Sequence, residues 1–389
     1  MQNQKNKNMT NKLLNLAFVF FMLLTNCSGD SSDVSGSESS ILNGQGNSGN
    51  QAGVITAGEW NDLDNWSFWE NIISTDEFES KPQYWSIFNN NRISVKVFTY
   101  DGLPAINAFV QLKREGTTIF TARTDNMGKA ELWVDLFQNN TNVDYAQLSI
   151  DINNGANVLS VVKPYHEGTN TIVIPATTVD NKIEISFVVD ATGSMGDELE
   201  FLKTELLDVI SRIETANPNA NVLTSSVFYR DEGDEYVTRV SNFIEDNNTT
   251  INFINNQSAG GGGDFPEAVH TALEKAVDEL QWSNNAKTRI LFLVLDAPPH
   301  QDNFVISSMQ AALLKFAEKG IKIIPITASG IDKETEFLMR FLAITTNGTY
   351  VFITDDSGVG NSHLQASVGE YQVEFLNDLM VRLINKYAE

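Results

Sequence analysis

One stretch of the chain decides the fold: residues 183–195, which read IEISFVVDATGSM. Its first seven residues are mostly apolar and predict a strand that is buried on both faces. Asp190 ends this strand, and a helix is expected to begin near Asp197. That helix carries apolar residues on one face, at Leu199, Leu202, Leu206, Leu207 and Ile210. A buried strand, a polar loop and an amphipathic helix in this order indicate an α/β fold with a parallel sheet.

The loop after this strand presents one carboxylate and two hydroxyls, from Asp190, Thr192 and Ser194. These are hard oxygen ligands, which Mg²⁺ prefers. A second apolar run, residues 290–295, leads directly into Asp296. Because ligand sites in open α/β sheets lie at the carboxyl ends of the strands, both aspartates are expected at one site. Each aspartate alone could serve a turn or a helix cap, but the joint pattern favours metal binding.

Residues 181–389 resemble a von Willebrand factor type A (vWA) domain, whose signature is the metal-ion-dependent adhesion site (MIDAS). The resemblance rests on three pieces in the expected order, which are Asp190-x-Thr192-x-Ser194, the loop 260–267 with the sequence GGGGDFPE, and Asp296. It implies a divalent cation, Mg²⁺ or else Mn²⁺ or Ca²⁺. The ligands that it implies are Asp190, Thr192, Ser194, Asp264 and Asp296. In this family an acidic group of the partner completes the coordination of the metal.

Asp264 has two interpretations. It falls where the family usually supplies a threonine, and a third carboxylate would weaken the pull of the cation on an acidic partner. The run from Asp264 to Glu267 also fits a helix start, with Asp264 as the N-cap, Pro266 in the first turn and a glutamate three residues on. Both roles stay open at this point.

From residue 181 onward, predicted strands alternate with predicted helices. This order favours a doubly wound, mainly parallel, Rossmann-like sheet with helices on both faces. Strands are expected near residues 183–189, 222–229, 236–243, 289–295, 321–326 and 348–353. A final amphipathic helix is expected over about residues 371–387.

Residues 89–178 show the alternation of apolar and polar residues that is typical of strands, with turn signals at Asp101-Gly102 and at Asp125–Gly128. The pattern predicts a small all-β sandwich. It resembles the Ig-like, carboxypeptidase-regulatory-like modules of bacterial surface proteins. The resemblance implies a spacer or a binding module.

Residues 54–88 hold four tryptophans, at positions 60, 66, 69 and 85. The spacing around Trp66 and Trp69 predicts a short amphipathic helix. Exposed indole rings could form a platform for sugars. We favour the alternative, in which this Trp-rich segment packs as core against the next domain.

The N-terminal part suggests export and lipid attachment. Residues 1–26 have the lysines and the apolar run of a signal peptide. Cys27 is the only cysteine, so an intramolecular disulfide is excluded. The run Leu24–Cys27 resembles a bacterial lipobox, although Asn26 departs from the usual small residue, and Cys27 would carry the lipid. Residues 27–53 are polar and predict a disordered tether of roughly 28 Å mean span.

The acidic stretch after Cys27 is similar to export signals of Bacteroidetes surface lipoproteins, which implies an outer membrane lipoprotein exposed at the cell surface. The formal charge of −24 argues against nucleic acid as a partner. An enzyme is not expected, because no His-Glu-x-x-His or Gly-x-Ser-x-Gly motif is present. Two of the four histidines, His300 and His363, are interpreted as ordinary loop residues near the site.

The sequence therefore predicts a cell-surface lipoprotein that binds an extracellular protein or polysaccharide through a cation-dependent adhesion site. One alternative is a structural subunit of a surface assembly, in which the metal only stabilises the loops. A hydrolase is the less favoured alternative.

Overall fold

The computed structural model describes residues 51–389. The predicted signal peptide, Cys27 and nearly all of the predicted tether lie outside the described residues. The described part belongs to one compact unit. None of its helices is both long enough and apolar enough to cross a membrane.

The strands of this part are β1 (Thr56–Trp60), β2 (Arg92–Thr99), β3 (Phe109–Arg114), β4 (Thr117–Arg123), β5 (Lys129–Trp133), β6 (Leu148–Ile152), β7 (Asn157–Leu159), β8 (Asn170–Ile174), β9 (Asp180–Asp190), β10 (Asn221–Tyr229), β11 (Thr238–Ile244), β12 (Ala286–Leu295), β13 (Lys322–Thr327), β14 (Tyr350–Ile353) and β15 (Glu374–Phe375). The α-helices are α1 (Trp66–Ile72), α2 (Lys81–Trp85), α3 (Leu199–Ala216), α4 (Asn247–Asn255), α5 (Val269–Asp278), α6 (Asn303–Lys319), α7 (Lys333–Thr345) and α8 (Leu376–Ala388).

The largest sheet within residues 51–389 has the strand order β11-β10-β9-β12-β13-β14-β1-β15. The strands from β10 to β14 in this order run parallel to one another. The strands β11, β1 and β15 pair antiparallel with their neighbours. The predicted α/β class with a large, mainly parallel sheet is therefore confirmed.

Strand β9 shows why the parallel strands read as continuous apolar runs. Ile185, Phe187 and Val189 pack into the core that α3 and α8 cover. Val188 points to the opposite face and packs into the core that includes residues of α5, α6 and α7. Because both faces are covered, neither set of alternating side chains faces solvent. Glu184 and Ser186, on the same face as Val188, are therefore also fully buried.

The sheet extends beyond its predicted strands. Strand β1 comes from the Trp-rich segment and lies between β14 and β15. Ala57 of β1 pairs with Ile353 at the end of β14, so β1 begins at the carboxyl edge of the parallel strands. The pairing of β15 with β1 also explains why the last helix begins at Leu376 and not near residue 371.

Strands β2 to β8 form two smaller sheets, with the orders β5-β2-β8 and β4-β3-β6-β7. We call them the β-module. It contacts the amino edge of the large sheet, where Lys322 at the start of β13 reaches Asp125 at 3.4 Å. Arg123 of β4 donates a hydrogen bond to the carbonyl of Glu318 at the end of α6. The β-module thus lies at the edge opposite to the carboxyl ends of the parallel strands.

The tryptophans of residues 54–88 are largely buried. Trp66, Trp69 and Trp85 are at most 5% exposed and belong to the hydrophobic core. Trp69 stacks on Phe337 of α7, with ring centroids 5.7 Å apart. This burial agrees with the core interpretation and removes these three rings from a sugar platform.

Candidate functional site

The candidate site lies at the carboxyl edge of the large sheet. Asp190 is the last residue of β9, and Asp296 follows directly after β12. Because β9 and β12 are parallel neighbours, the two aspartates leave the sheet side by side. Both are buried, with 0% and 5% of their surface exposed. The register of β9 and β12 thus brings the two carboxylates to the same edge of the sheet, as the sequence predicts.

The predicted loop folds around Asp190. Its Oδ1 atom accepts hydrogen bonds from the backbone N of Thr192 at 2.8 Å and from the Thr192 hydroxyl at 2.7 Å. The Ser194 hydroxyl lies 3.1 Å from that of Thr192. The three residues of the Asp-x-Thr-x-Ser motif are thus in mutual contact. The Oδ2 atom of Asp190 is buried and has no hydrogen-bond partner within residues 51–389. The same holds for Oδ1 of Asp296.

The pKa values of both aspartates are raised, mainly because their carboxyl groups are buried. Burial raises the pKa of Asp190 to about 7, and the nearby Asp296 raises it further, against the hydrogen bonds from Thr192. Burial also raises the pKa of Asp296 to about 6, although a hydrogen bond from Ser194 opposes this. Two buried carboxylates with a free oxygen each are suited either to protons or to a cation.

Asp264 does not cap helix α5, and its role as a metal ligand stays a prediction. It is exposed, and its side chain makes no hydrogen bond with the described residues. Helix α5 begins only at Val269, after Ala268. The N-cap interpretation is therefore wrong. The reason is a bridge between Glu267 and Pro299, closed by a 2.9 Å bond from the Glu267 N to the Pro298 carbonyl, which delays the start of the helix.

Glu267, and not Asp264, is the carboxylate that this loop buries at the site. It is 3% exposed, and its Oε2 atom has no hydrogen-bond partner among the described residues. Burial raises its pKa to about 9, with further contributions from Asp190, Asp231 and Asp296. At neutral pH this carboxyl is mostly protonated. From the sequence, Glu267 was explained as part of a helix start, and nothing in the pattern indicated that it would be buried.

The glycine loop is held by backbone contacts. The Gly193 N donates to the Gly261 carbonyl at 3.1 Å, and the Gly262 N donates to Oδ2 of Asp234 at 2.8 Å. Gly261 and Gly262 have φ angles of 78° and 74°, in the left-handed region that favours glycine. A Cβ atom at Gly261 would also collide with the Asp234 carboxylate. The glycines therefore allow close packing between this loop and the β10–β11 turn.

His363 joins this edge of the sheet through contacts with two carboxylates. His363 lies between Glu198 and Asp355, with its Nε2 3.0 Å from Glu198 Oε1 and its Nδ1 2.8 Å from Asp355 Oδ1. Burial lowers the pKa of His363, but the two carboxylates outweigh this, so that the pKa is raised. The backbone N of Ser329 also donates to Glu198. His363 is thus a bridge between segments and not an ordinary loop residue.

The donor set fits a cation that is bound by few protein charges. No three His, Cys, Asp or Glu side chains of residues 51–389 come together as a set that could hold a metal ion. A cation here would rely on Asp190, Asp296, the hydroxyls of Thr192 and Ser194, and water. The two orphaned, buried carboxylate oxygens are the observation that fits such an ion.

Comparison with known proteins identifies the part of the chain that forms this site. Residues 184–361 match the family model described as von Willebrand factor A domain. The chain is 36% identical over 133 residues to an ariadne-like RING finger protein of Acanthamoeba polyphaga mimivirus, covering 32% of this chain and 13% of that protein. It is 28% identical over 209 residues to an alpha-protein kinase of Dictyostelium discoideum, covering 53% and 33%. The chain thus spans a third or less of the length of these curated relatives.

Two solved structures align with about half of the chain. One is the protein BatB from Bacteroides thetaiotaomicron, with a TM-score of 0.35 and 16% identity over 53% of this chain and 98% of that one. The other is an aerotolerance-related membrane protein from Bacteroides fragilis, with a TM-score of 0.34 and 15% identity over 52% and 99%. The family match over residues 184–361, together with the architecture around Asp190, shows that the chain contains a von Willebrand factor A domain.

Proposed function

We propose that this chain binds a protein partner through a divalent cation at the carboxyl edge of its vWA sheet. Domains of this family generally mediate protein interactions. The observation that carries the proposal is the pair of buried carboxylate oxygens without partners, on Asp190 and Asp296, beside the hydroxyls of Thr192 and Ser194. Mg²⁺ or Mn²⁺ suits this set of oxygen donors, with Ca²⁺ as a further choice.

The charge at the site supports an acidic group as the partner's contribution. Two ionised aspartates neutralise a divalent cation. Glu267 is the third carboxyl nearby, and its pKa of about 9 keeps it largely protonated at neutral pH while no cation is bound. Asp264 is exposed and is proposed at most as an outer ligand through water.

The cellular role is proposed from the N-terminal sequence. A lipid on Cys27 would anchor the protein at the outer membrane, and the polar tether would present the vWA domain at the cell surface. The role is adhesive and non-catalytic, and a polysaccharide is the alternative ligand.

One observation favours a second candidate, a structural subunit in which the metal only stabilises the loops. The loop after β9, the glycine loop and the β10–β11 turn are already joined by hydrogen bonds through Gly193, Gly261 and Asp234. A cation between them would tighten this junction even without a partner.

Capture of partners from surface extracts separates the two candidates. The full chain serves as bait, with Mg²⁺ present or removed by EDTA. Capture that EDTA abolishes, and that Asp190→Asn also abolishes, supports a cation that bridges to the partner. Capture that survives both changes, together with a cation-dependent rise in the melting temperature, supports the structural candidate. If neither cation changes melting or capture, the metal site itself is refuted.

A further inference from the structure

A cavity of about 420 Å³ lies between the β-module and the amino edge of the large sheet. It is lined by residues of β2, of the turn before β5 and of α8, and it lies at the edge opposite to Asp190 and Asp296. Its size falls within the range of pockets that bind small molecules. Contacts between two parts of a fold are a common location for such pockets.

The lining of this cavity concentrates lysines that have no ion pair. Among residues 51–389, the side chains of four lysines donate no hydrogen bond and form no salt bridge, and these are Lys96, Lys129, Lys163 and Lys386. Three of the four, all except Lys163, line the cavity. In a chain of net charge −24, free cations at one place are an unusual arrangement. Lys96 and Lys386 each have an aromatic ring 5 to 6 Å away, which does not neutralise their charge.

Two of these lysines are directly paired across neighbouring strands, which costs stability because their charges repel. Lys96 of β2 and Lys129 of β5 are directly paired in the antiparallel register. Like charges at such positions destabilise a sheet. Neither lysine forms a salt bridge with an acidic side chain among the described residues. The repulsion is of the kind that a bound anion removes.

The acidic residues of the lining are already engaged. Glu131 accepts two hydrogen bonds from Arg92, at 2.8 and 2.9 Å, and one from Ser94. Asp125 accepts from Asn347 at 3.0 Å and from Lys322 at 3.4 Å. The remaining acid, Asp64, is exposed. Asp64 still carries its charge, as do Lys129 and Lys386, which are exposed as well. With Glu131 paired to Arg92 and Asp125 paired to Lys322, three lysines and one aspartate remain, so the net charge of the lining is about +2.

We propose that this cavity binds a small organic or inorganic anion that carries two or more negative charges. Lysine ammonium groups bind carboxylate and phosphate alike as point charges, so the shared chemistry is that of a multivalent anion. The site lies far from the cation site and does not depend on the proposed function.

Calorimetric titration of the full chain tests this proposal, with no divalent cation added. Citrate and inorganic phosphate are the anionic probes, and sorbitol is the uncharged control. We expect saturable binding of at least one anion, weakened by salt, and no binding of sorbitol. Preference for citrate would identify a carboxylate ligand and preference for phosphate a phosphorylated one. Absence of saturable binding by both anions overturns the proposal.

Matched lysine variants locate the site. Lys129→Gln and Lys386→Gln should each weaken anion binding about fivefold or more, since each removes one charge near the ligand. Lys163→Gln, which alters an exposed lysine outside the cavity, should leave it unchanged. Equal losses in all three variants would show diffuse attraction and overturn the proposal.

Melting gives a readout that does not depend on titration. Lys96→Gln should raise the melting temperature without anion, because it removes the repulsion with Lys129. The same variant should reduce the further rise that citrate or phosphate produces. An unchanged anion response in Lys96→Gln contradicts the assignment.

Discussion

Asp190 and Asp296 each keep one buried oxygen without a hydrogen-bond partner among the described residues. Leaving a buried polar atom unsatisfied costs about 1–3 kcal/mol, and more for a charged group. A fold that retains two such atoms side by side gains stability when a cation satisfies both. The orphaned oxygens therefore link the local geometry to a measurable response of the whole fold.

Replacing one of these carboxylates should remove that response. In the protein with Asp190→Asn we expect Mg²⁺ and Mn²⁺ to lose their effect on the melting temperature. In the unaltered protein, saturation at one hundred times Kd should add about 2.7 kcal/mol of stability. The cation-free variant should stay folded, because the repulsion from Asp296 is relieved. Asp101→Asn, in an exposed turn of the β-module, is the control, and an equal loss there would contradict the assignment.

The raised pKa values of the two aspartates predict a dependence on pH. Both lie above the unfolded value of about 3.9, so between about pH 4 and 7 the folded state holds protons that the unfolded state has released. The free energy of unfolding of the cation-free protein should therefore fall as the pH rises through this window. The stabilisation by Mg²⁺ should grow in parallel, because the carboxylates must lose their protons to bind it.

Thermal melting with and without Mg²⁺, at about pH 5.5 and about pH 8, measures this effect. We expect the larger rise at the higher pH. The Asp190→Asn variant should show no rise at either pH. A larger rise at the lower pH in the unaltered protein would be inconsistent with these pKa shifts.

At the scale of elements, the sequence predicted those helices and strands best whose local pattern of apolar residues matches their surroundings in the fold. Strand β9 and its loop were predictable, because a parallel strand covered on both faces is mostly apolar, as are five of the seven residues from Ile183 to Val189. Strand β1 was not, because its five residues pair with β14 and β15, which lie about three hundred residues later. The start of α5 was misplaced because the bridge between Glu267 and Pro299 is a contact that no local signal announces.

The segment after β1 is fixed by a buried ion pair, which gives a stability prediction. Arg340 of α7 is fully buried and donates to Asp62 at 2.9 and 2.6 Å. Removing one partner of a buried pair costs about 3–5 kcal/mol when the other charge is left without compensation. Arg340 keeps a second buried partner, Glu336 at 3.2 Å, so the cost of losing Asp62 should be smaller. We expect Asp62→Ala to lower the unfolding free energy by about 1–3 kcal/mol in chemical denaturation.

The exposed neighbour Asp64 supplies the control. Asp64→Ala should change the unfolding free energy by no more than about 0.5 kcal/mol. If Asp62→Ala is as mild as Asp64→Ala, the pair with Arg340 does not hold this segment against α7.

At the scale of the whole molecule, the proposed anchor depends on Cys27. We expect Cys27→Ala to release the protein from the membrane fraction, and globomycin to cause the uncleaved precursor to accumulate. Protease added to intact cells should degrade the unaltered protein. Membrane attachment that persists in Cys27→Ala would refute the lipobox interpretation, and full protection from protease would place the protein on the periplasmic side.

The position of β1 has a mechanical consequence. The chain enters the sheet at Thr56, on the same edge as Asp190 and Asp296, and only β13 and β14 lie between β1 and β12. Three strand spacings amount to about 14 Å. A pulling force between a bound partner and the chain before Thr56 would be transmitted only along the carboxyl edge of these strands. The β-module, at the far edge, would lie off the line of force and keep its shape while the upper edge carries the strain.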